Sequence, residues 1–184
     1  MLKLHWISAI APLLAAIPLL AAPADTGLPN IDWEKIARNA TERNEVMLDG
    51  PLLKSVAGFV AQDKKDAADL KTLLGGLEGV YVHNYEFDKD NAYPREDIEA
   101  LRSHLGKNHW GRIVQSFDRD AGENTEIYLK NVKSSSDISG LVIVSTSKRE
   151  LTVVHIVGKL KPEDAGKLSG VLGIPNLDPG KGPK

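Results

Sequence analysis

Two stretches in the C-terminal half, "ISGLVIVSTS" and "ELTVVHIVG", show no polar side. Leu141, Val142, Ile143 and Val144 follow one another, and Val153, Val154, Ile156 and Val157 surround His155. Successive side chains of a strand point to opposite faces, so a strand that is apolar on both needs cover above and below. These segments therefore belong in the middle of a sheet. Only Ser147-Lys148-Arg149 separates them, a hairpin spacing that makes them antiparallel partners. "GRIVQSFD" and "NTEIYLKNV", joined at Asp120-Ala121-Gly122, add two more strands before them.

Upstream the period changes. "PLLKSVAGFVA" repeats apolar residues at Leu52, Leu53, Val56, Phe59 and Val60 behind Pro51, which suits a helix start. A second helix is predicted from Lys64 to Leu74, stopped by Gly75-Gly76. Before these, a short helix is predicted from Asp32 or Trp33 to about Glu42, then a short strand in "EVMLDG". "LEGVYVHNYEFD" returns to period two, and "YPREDIEALRSHLG" reads as a helix from Pro94 to about Leu105, with Gly106 ending it. "KPEDAGKLSGVL" reads as a last helix and residues 179–184 as a disordered tail. Helices first, then one strand, one helix and four strands, indicate a single α+β domain over residues 25–178. Its expected core is a largely antiparallel sheet of about five or six strands with helices packed on it.

The first 24 residues stand apart. Lys3 precedes an uncharged run from Trp6 to Leu20, and Ala22-Pro23-Ala24 follows. This is the pattern of a secretory signal peptide, with small residues at Ala22 and Ala24 and cleavage after Ala24. The run is short for a bilayer span, which needs about 20 apolar residues, so no stable membrane insertion is expected after signal removal. The expected destination is the periplasm or the extracellular space. The chain contains no cysteine, which excludes disulfides and leaves stability to the core. Its 23 Lys and Arg against 25 Asp and Glu give a formal charge of -2, no electrostatic reason to expect nucleic acid as a partner.

Candidate chemistry is sparse. Asp88, Asp90 and Glu99 fall at positions 1, 3 and 12 of a would-be calcium loop. Position 6, where the backbone needs glycine, is Tyr93, and a strand precedes the loop where a helix should. These residues read as a turn. Glu96 and Asp97 read as first-turn acids favoured by the helix dipole. His83, His104, His109 and His155 lack the helical i, i+4 pairing of a zinc hydrolase, and there is no G-x-S-x-G elbow. His155, among valines, reads as a hydrogen-bonded core histidine. One strand face collects Tyr81, His83, Tyr85 and Phe87. It is either an open ligand-binding face, with helices over Val80 and Val82, or the core face, with Val80 outside. Aromatic area favours the core face. No cofactor is expected, and nothing in the pattern assigns an enzyme.

"GVYVHNYEFDKD", "GENTEIYLKN", "ISGLVIVSTSKRELTVVHIVGKL" and "LGIPNLD" resemble, in order and spacing, the bacterial family called domain of unknown function 4252. The resemblance runs from about Trp33 to Asp178. It implies an exported envelope protein, often encoded beside sigma factors of the extracytoplasmic stress type. Many relatives carry a lipid-attachment cysteine, which is missing here. No catalytic residue follows from the resemblance. The expected function is that of an exported, non-enzymatic binding or interaction module of the cell envelope, with an unidentified envelope protein or small ligand as partner. The alternative is a small-ligand binder or enzyme using Tyr81, His83 and Tyr85.

Overall fold

The computed structural model describes residues 28–60, 67–131 and 138–161. The signal segment with Ala22 and Ala24, the last helix from Pro162 onward and the 179–184 tail lie outside the described residues. The elements run α1 (Trp33–Ala37), β1 (Glu42–Asp49), α2 (Gly50–Val60), α3 (Ala67–Gly76), β2 (Leu77–Glu86), α4 (Arg95–Lys107), β3 (Trp110–Asp118), β4 (Glu123–Asn131), β5 (Ile138–Thr146) and β6 (Glu150–Leu160). The strands form one six-stranded sheet in the order β1-β2-β6-β5-β4-β3, antiparallel at every pairing. The α+β expectation and its strand count are met. Among the described residues no helix is long and apolar enough to cross a membrane.

β5 and β6 lie inside the sheet, as their two apolar faces require. Leu141, Ile143, Val154 and Ile156 pack with Leu53, Ala57, Leu73 and Leu74 of α2 and α3 on one face. Val142, Val144, Leu151 and Val153 pack with Ile98, Leu101 and Leu105 of α4 and Ile36 of α1 on the other. Each such side chain contributes roughly 1.5–3 kcal/mol on burial, so the two layers together hold the sheet from both sides.

The aromatic face of β2 is a core face, as its aromatic area favoured, but the expectation that Val80 then lies outside is corrected: neither face is open. Val80 and Val82 are buried under α2 and α3, while Tyr85 and Phe87 are buried on the α4 side. β2 has neighbours on both edges and helices above and below. β1 also begins earlier than the hydrophobic pattern suggests, at Glu42, because Glu42 to Glu45 pair with Glu86 to His83 through a ladder that does not require apolar side chains. α1 is correspondingly shorter than expected, five residues with Asp32 accepting a hydrogen bond from the Lys35 amide. α4 continues past Gly106 to Lys107.

One position in β6 tests this packing directly. Gly158 has φ +126, and a Cβ there would lie 2.7 Å from the Glu78 nitrogen and from Leu77 Cα, where the β2–β6 register shifts. Gly158→Ala should cost about 2–4 kcal/mol in urea unfolding, from backbone strain plus overpacking. Gly106→Ala in α4, whose Cβ would meet nothing within 4 Å, should instead add about 0.4–1 kcal/mol.

Candidate functional site

A concavity lies on the α4 side of the sheet, between that helix and strands β3 and β4. Glu99, Arg102, Ser103 and Gly106 form a stripe on α4 at helical spacing. Opposite them stand Asn124, Glu126 and Tyr128, alternate residues of β4 on one face of the sheet. With Trp110, Arg112 and Gln115 of β3 they enclose a groove of about 680 Å³. A smaller recess of about 220 Å³ continues along α4 past Arg95, Ile98 and Phe117.

Glu126 anchors this groove. It is 2% exposed. Its Oε2 accepts from Arg102 Nε at 2.6 Å and its Oε1 from Arg112 Nη1 at 2.7 Å, with the Tyr128 hydroxyl at 3.3 Å. Arg102 spends its other nitrogens on Glu99 at 2.7 Å and Thr146 Oγ1 at 3.3 Å. Asn124, oriented with its amide oxygen toward Arg102 Nη2 at 3.2 Å, donates to the Ser116 carbonyl. Burial, then the adjacent Glu126 carboxylate, pushes the Tyr128 hydroxyl up from its usual range. Hydrogen bonding to Glu126 holds Arg112 firmly charged. Two cations thus grip one buried anion, and their mutual hydrogen bonds satisfy it.

The strand face of Tyr81, His83, Tyr85 and Phe87 makes a second, closed cluster. Tyr85 and His83 both bond Glu45 Oε1 of β1, the His83 Nδ1 at 3.2 Å. Glu45 Oε2 accepts from Arg43 at 2.6 Å, and Arg43 reaches Glu34 of α1 at 2.7 Å. An ionised Glu45 only accepts, so the neutral His83 ring carries its proton on Nδ1. Burial raises Glu45, but the bonds from Arg43, Tyr85 and His83 outweigh it and hold the carboxyl below its usual range. Burial pushes His83 down, against an upward pull from Glu45. Trp33 of α1 stacks flat on the His83 ring, 3.8 Å between centroids. Lys35 ties α1 to α4 through Asp97 at 2.8 Å and Glu96 at 3.6 Å. His83, Tyr85 and Phe87 are buried and Tyr81 is half-buried. A ligand reaching His83 has to displace Trp33.

The remaining candidates lie elsewhere. Asp90 pairs with Arg149 at 2.7 Å and Glu99 with Arg102, while Asp88 sits exposed in the turn. Among the described residues no group of three His, Asp or Glu could hold a metal ion. His155 is buried as expected but not hydrogen-bonded as expected. Among the described residues its Nε2 and the Trp110 Nε1 have no hydrogen-bond partner, and the two rings meet edge-on at 6.0 Å.

Sequence reasoning missed Glu126, Arg102 and Arg112. The available signal was Glu126 itself, a carboxylate in step with Tyr128 and directly before the apolar Ile127.

Fold and groove define a class: a single antiparallel sheet with helices on both faces and a polar groove under one helix. The chain belongs to the family described as domain of unknown function (DUF4252), whose model matches residues 38–168. No curated protein and no solved structure matches it.

Proposed function

We propose that the protein is an exported, non-enzymatic binding module of the bacterial cell envelope, and that its ligand seat is the groove between α4 and β3–β4. The observation that carries this reading is the state of the groove's charged groups. Both oxygens of Glu126 are engaged by arginines, and Arg102 is engaged on three nitrogens. Groups locked to each other make a rigid wall, suited to recognising a ligand, and are poorly placed to pass protons. Arg112, half-exposed, and the exposed Gln115 and Ser103 are the groups that present hydrogen-bonding capacity to a ligand. Export follows from the leader over residues 1–24, and a link to envelope-stress signalling is the role that the family resemblance favours.

Thermal unfolding of the exported form against cell-wall fragments, lipids and small metabolites tests the reading. A ligand at about 100 times its Kd adds about 2.7 kcal/mol, a shift of several degrees at this size. Ser103→Trp, which places a large side chain in the groove from the exposed face of α4, should abolish that shift. A shift that survives Ser103→Trp rules the groove out as the seat. N-terminal sequencing of the recovered protein should begin at Asp25; an intact leader would remove the export reading.

A further inference from the structure

β3 does not keep the alternation of a regular strand. It pairs Arg112 with Tyr128 of β4 and then Val114 with Ile127, so Ile113 has no opposite number and forms a bulge. In an unbroken strand Arg112, Val114 and Ser116 would share one face, with Gln115 and Phe117 on the other. The bulge resets that phase. Arg112, Gln115 and Phe117 stand opposite Tyr128, Glu126 and Asn124, the groove side of β4, while Val114 joins the core under α2 and α3. One extra residue thus replaces Val114 and Ser116 with Gln115 and Phe117 on the groove side. It puts Arg112 and Gln115 on the same wall. Bulges re-aim side chains in this way beside functional sites.

What this wall offers is mostly hydrogen-bond donors. A guanidinium carries its N–H groups in a fixed fork and has no acceptor. Arg112 Nη1 bonds Glu126 Oε1 at 2.7 Å, which holds the fork in place, and among the described residues no second carboxylate takes its other N–H groups. The exposed Gln115 adds an amide beside it. The carboxylates of the groove are less available. Glu126 is buried with both oxygens engaged, and Glu99, on the α4 wall, is bound to Arg102 and 68% exposed, where water screens it. Lys130, the next residue on this side of β4, holds its Nζ 5.6 Å from the Trp110 ring centroid and pairs with no carboxylate among the described residues. Arg102, Arg112 and Lys130 therefore stand along the groove against Glu99 and Glu126. We propose that the groove takes a small ligand by an anionic head group, a carboxylate or phosphate, held by Arg112 and Gln115. Such groups match the planar fork of an arginine two oxygens at a time. The rest of the ligand lies toward Gly106 and Trp110, where the lining is apolar. The proposal rests on the groove being the ligand seat and adds the chemistry that the seat selects.

Benzoate, phenyl phosphate and benzamide test it, since they share a ring and differ in head group. Titrated into the isotopically labelled exported protein, at least one of the two anions should move three NMR signals along one saturable curve. These are the Arg112 Nε–H, the Gln115 side-chain amide and the Ser103 backbone amide. Benzamide should bind about tenfold more weakly, because the charge assistance is gone. Arg112→Lys keeps a cation beside Glu126 but loses the fork, and should weaken the tighter anion several-fold. Gln115→Leu, outside the Glu126 cluster, should do the same, with the amide signals of the core unchanged in both variants. Whichever anion binds tighter identifies the head group, and either supports the proposal. Benzamide binding in the groove as tightly as the anions overturns the anionic class while the groove stands as a seat. Anions that move only signals outside the groove, or none up to their solubility, overturn the proposal too. So does anion binding indifferent to both variants. In those cases the response to Ser103→Trp decides separately whether the groove reading survives.

Discussion

Glu126→Ala should lower stability by about 3–5 kcal/mol at neutral pH, the usual cost of breaking a buried ion pair by removing one partner. The wild-type carboxylate is almost fully enclosed and takes a hydrogen bond from each of two arginines. Its removal leaves Arg102, whose side chain is 18% exposed, charged and without its most buried partner. Arg112 is 46% exposed and can turn to water, so its share of the loss is screened and small. Urea unfolding should show a lower midpoint at unchanged m-value. Arg102→Met combined with Glu126→Ala should recover part of the loss, because the unpaired charge goes with it; coupling of about 1–3 kcal/mol is expected. A loss below about 1 kcal/mol for Glu126→Ala would mean that water already screens this cluster, and the rigid-wall argument for the groove would fall with it.

The second large effect is on pH. Burial, with a smaller push from Lys130, lowers His155 from 6.5 to about 4. Its ring lies among Trp110, Tyr81 and Val142 of β5, and among the described residues no acid is bonded to its Nε2. The unfolded chain therefore takes up a proton at His155 near pH 6.5, while the native protein does so only near 4. Over that window protonation favours the unfolded state. Stability is complete above about pH 6.5 and falls as the pH is lowered, by roughly 3 kcal/mol from His155. His83, also lowered by burial, acts in the same direction. Urea midpoints taken from pH 7 to 4 should trace this decline, and His155→Phe should flatten most of it. A wild-type profile that stays level between pH 6.5 and 4.5 would show that His155 is protonated without cost in the native state.

Much of the fold was legible because its signals are local. The period of 3.6 in α2 and α4, the period of two in β2, and the turn residues at Asp120-Ala121-Gly122 and Ser147-Lys148-Arg149 each act within one or two elements. β1 was half hidden, since Glu42 to Asn44 join the ladder through backbone bonds that leave no mark in hydrophobicity. The site was far less legible. The calcium-loop spacing of Asp88, Asp90 and Glu99 was read as a turn, and in the fold Asp90 and Glu99 are each taken by a different arginine. Glu126 drew no attention, although it is the best-satisfied carboxylate in the groove.

The difference between the two has one physical cause. Sequence alone determined where most of the described helices and strands lie, and that β5 and β6 are central, because an uninterrupted apolar strand has no other stable place. It also determined that no disulfide holds the fold, since there is no cysteine to form one. Only the tertiary structure decided that β2 is covered on both faces. It likewise decided that Arg102 of α4, Arg112 of β3 and Glu126 of β4 converge, and that β3 rather than another strand is left at an edge. Those outcomes depend on how a helix is set across a sheet and on the order of strands. Contacts between residues 14 and 24 positions apart are fixed by that global arrangement, and no local period encodes it.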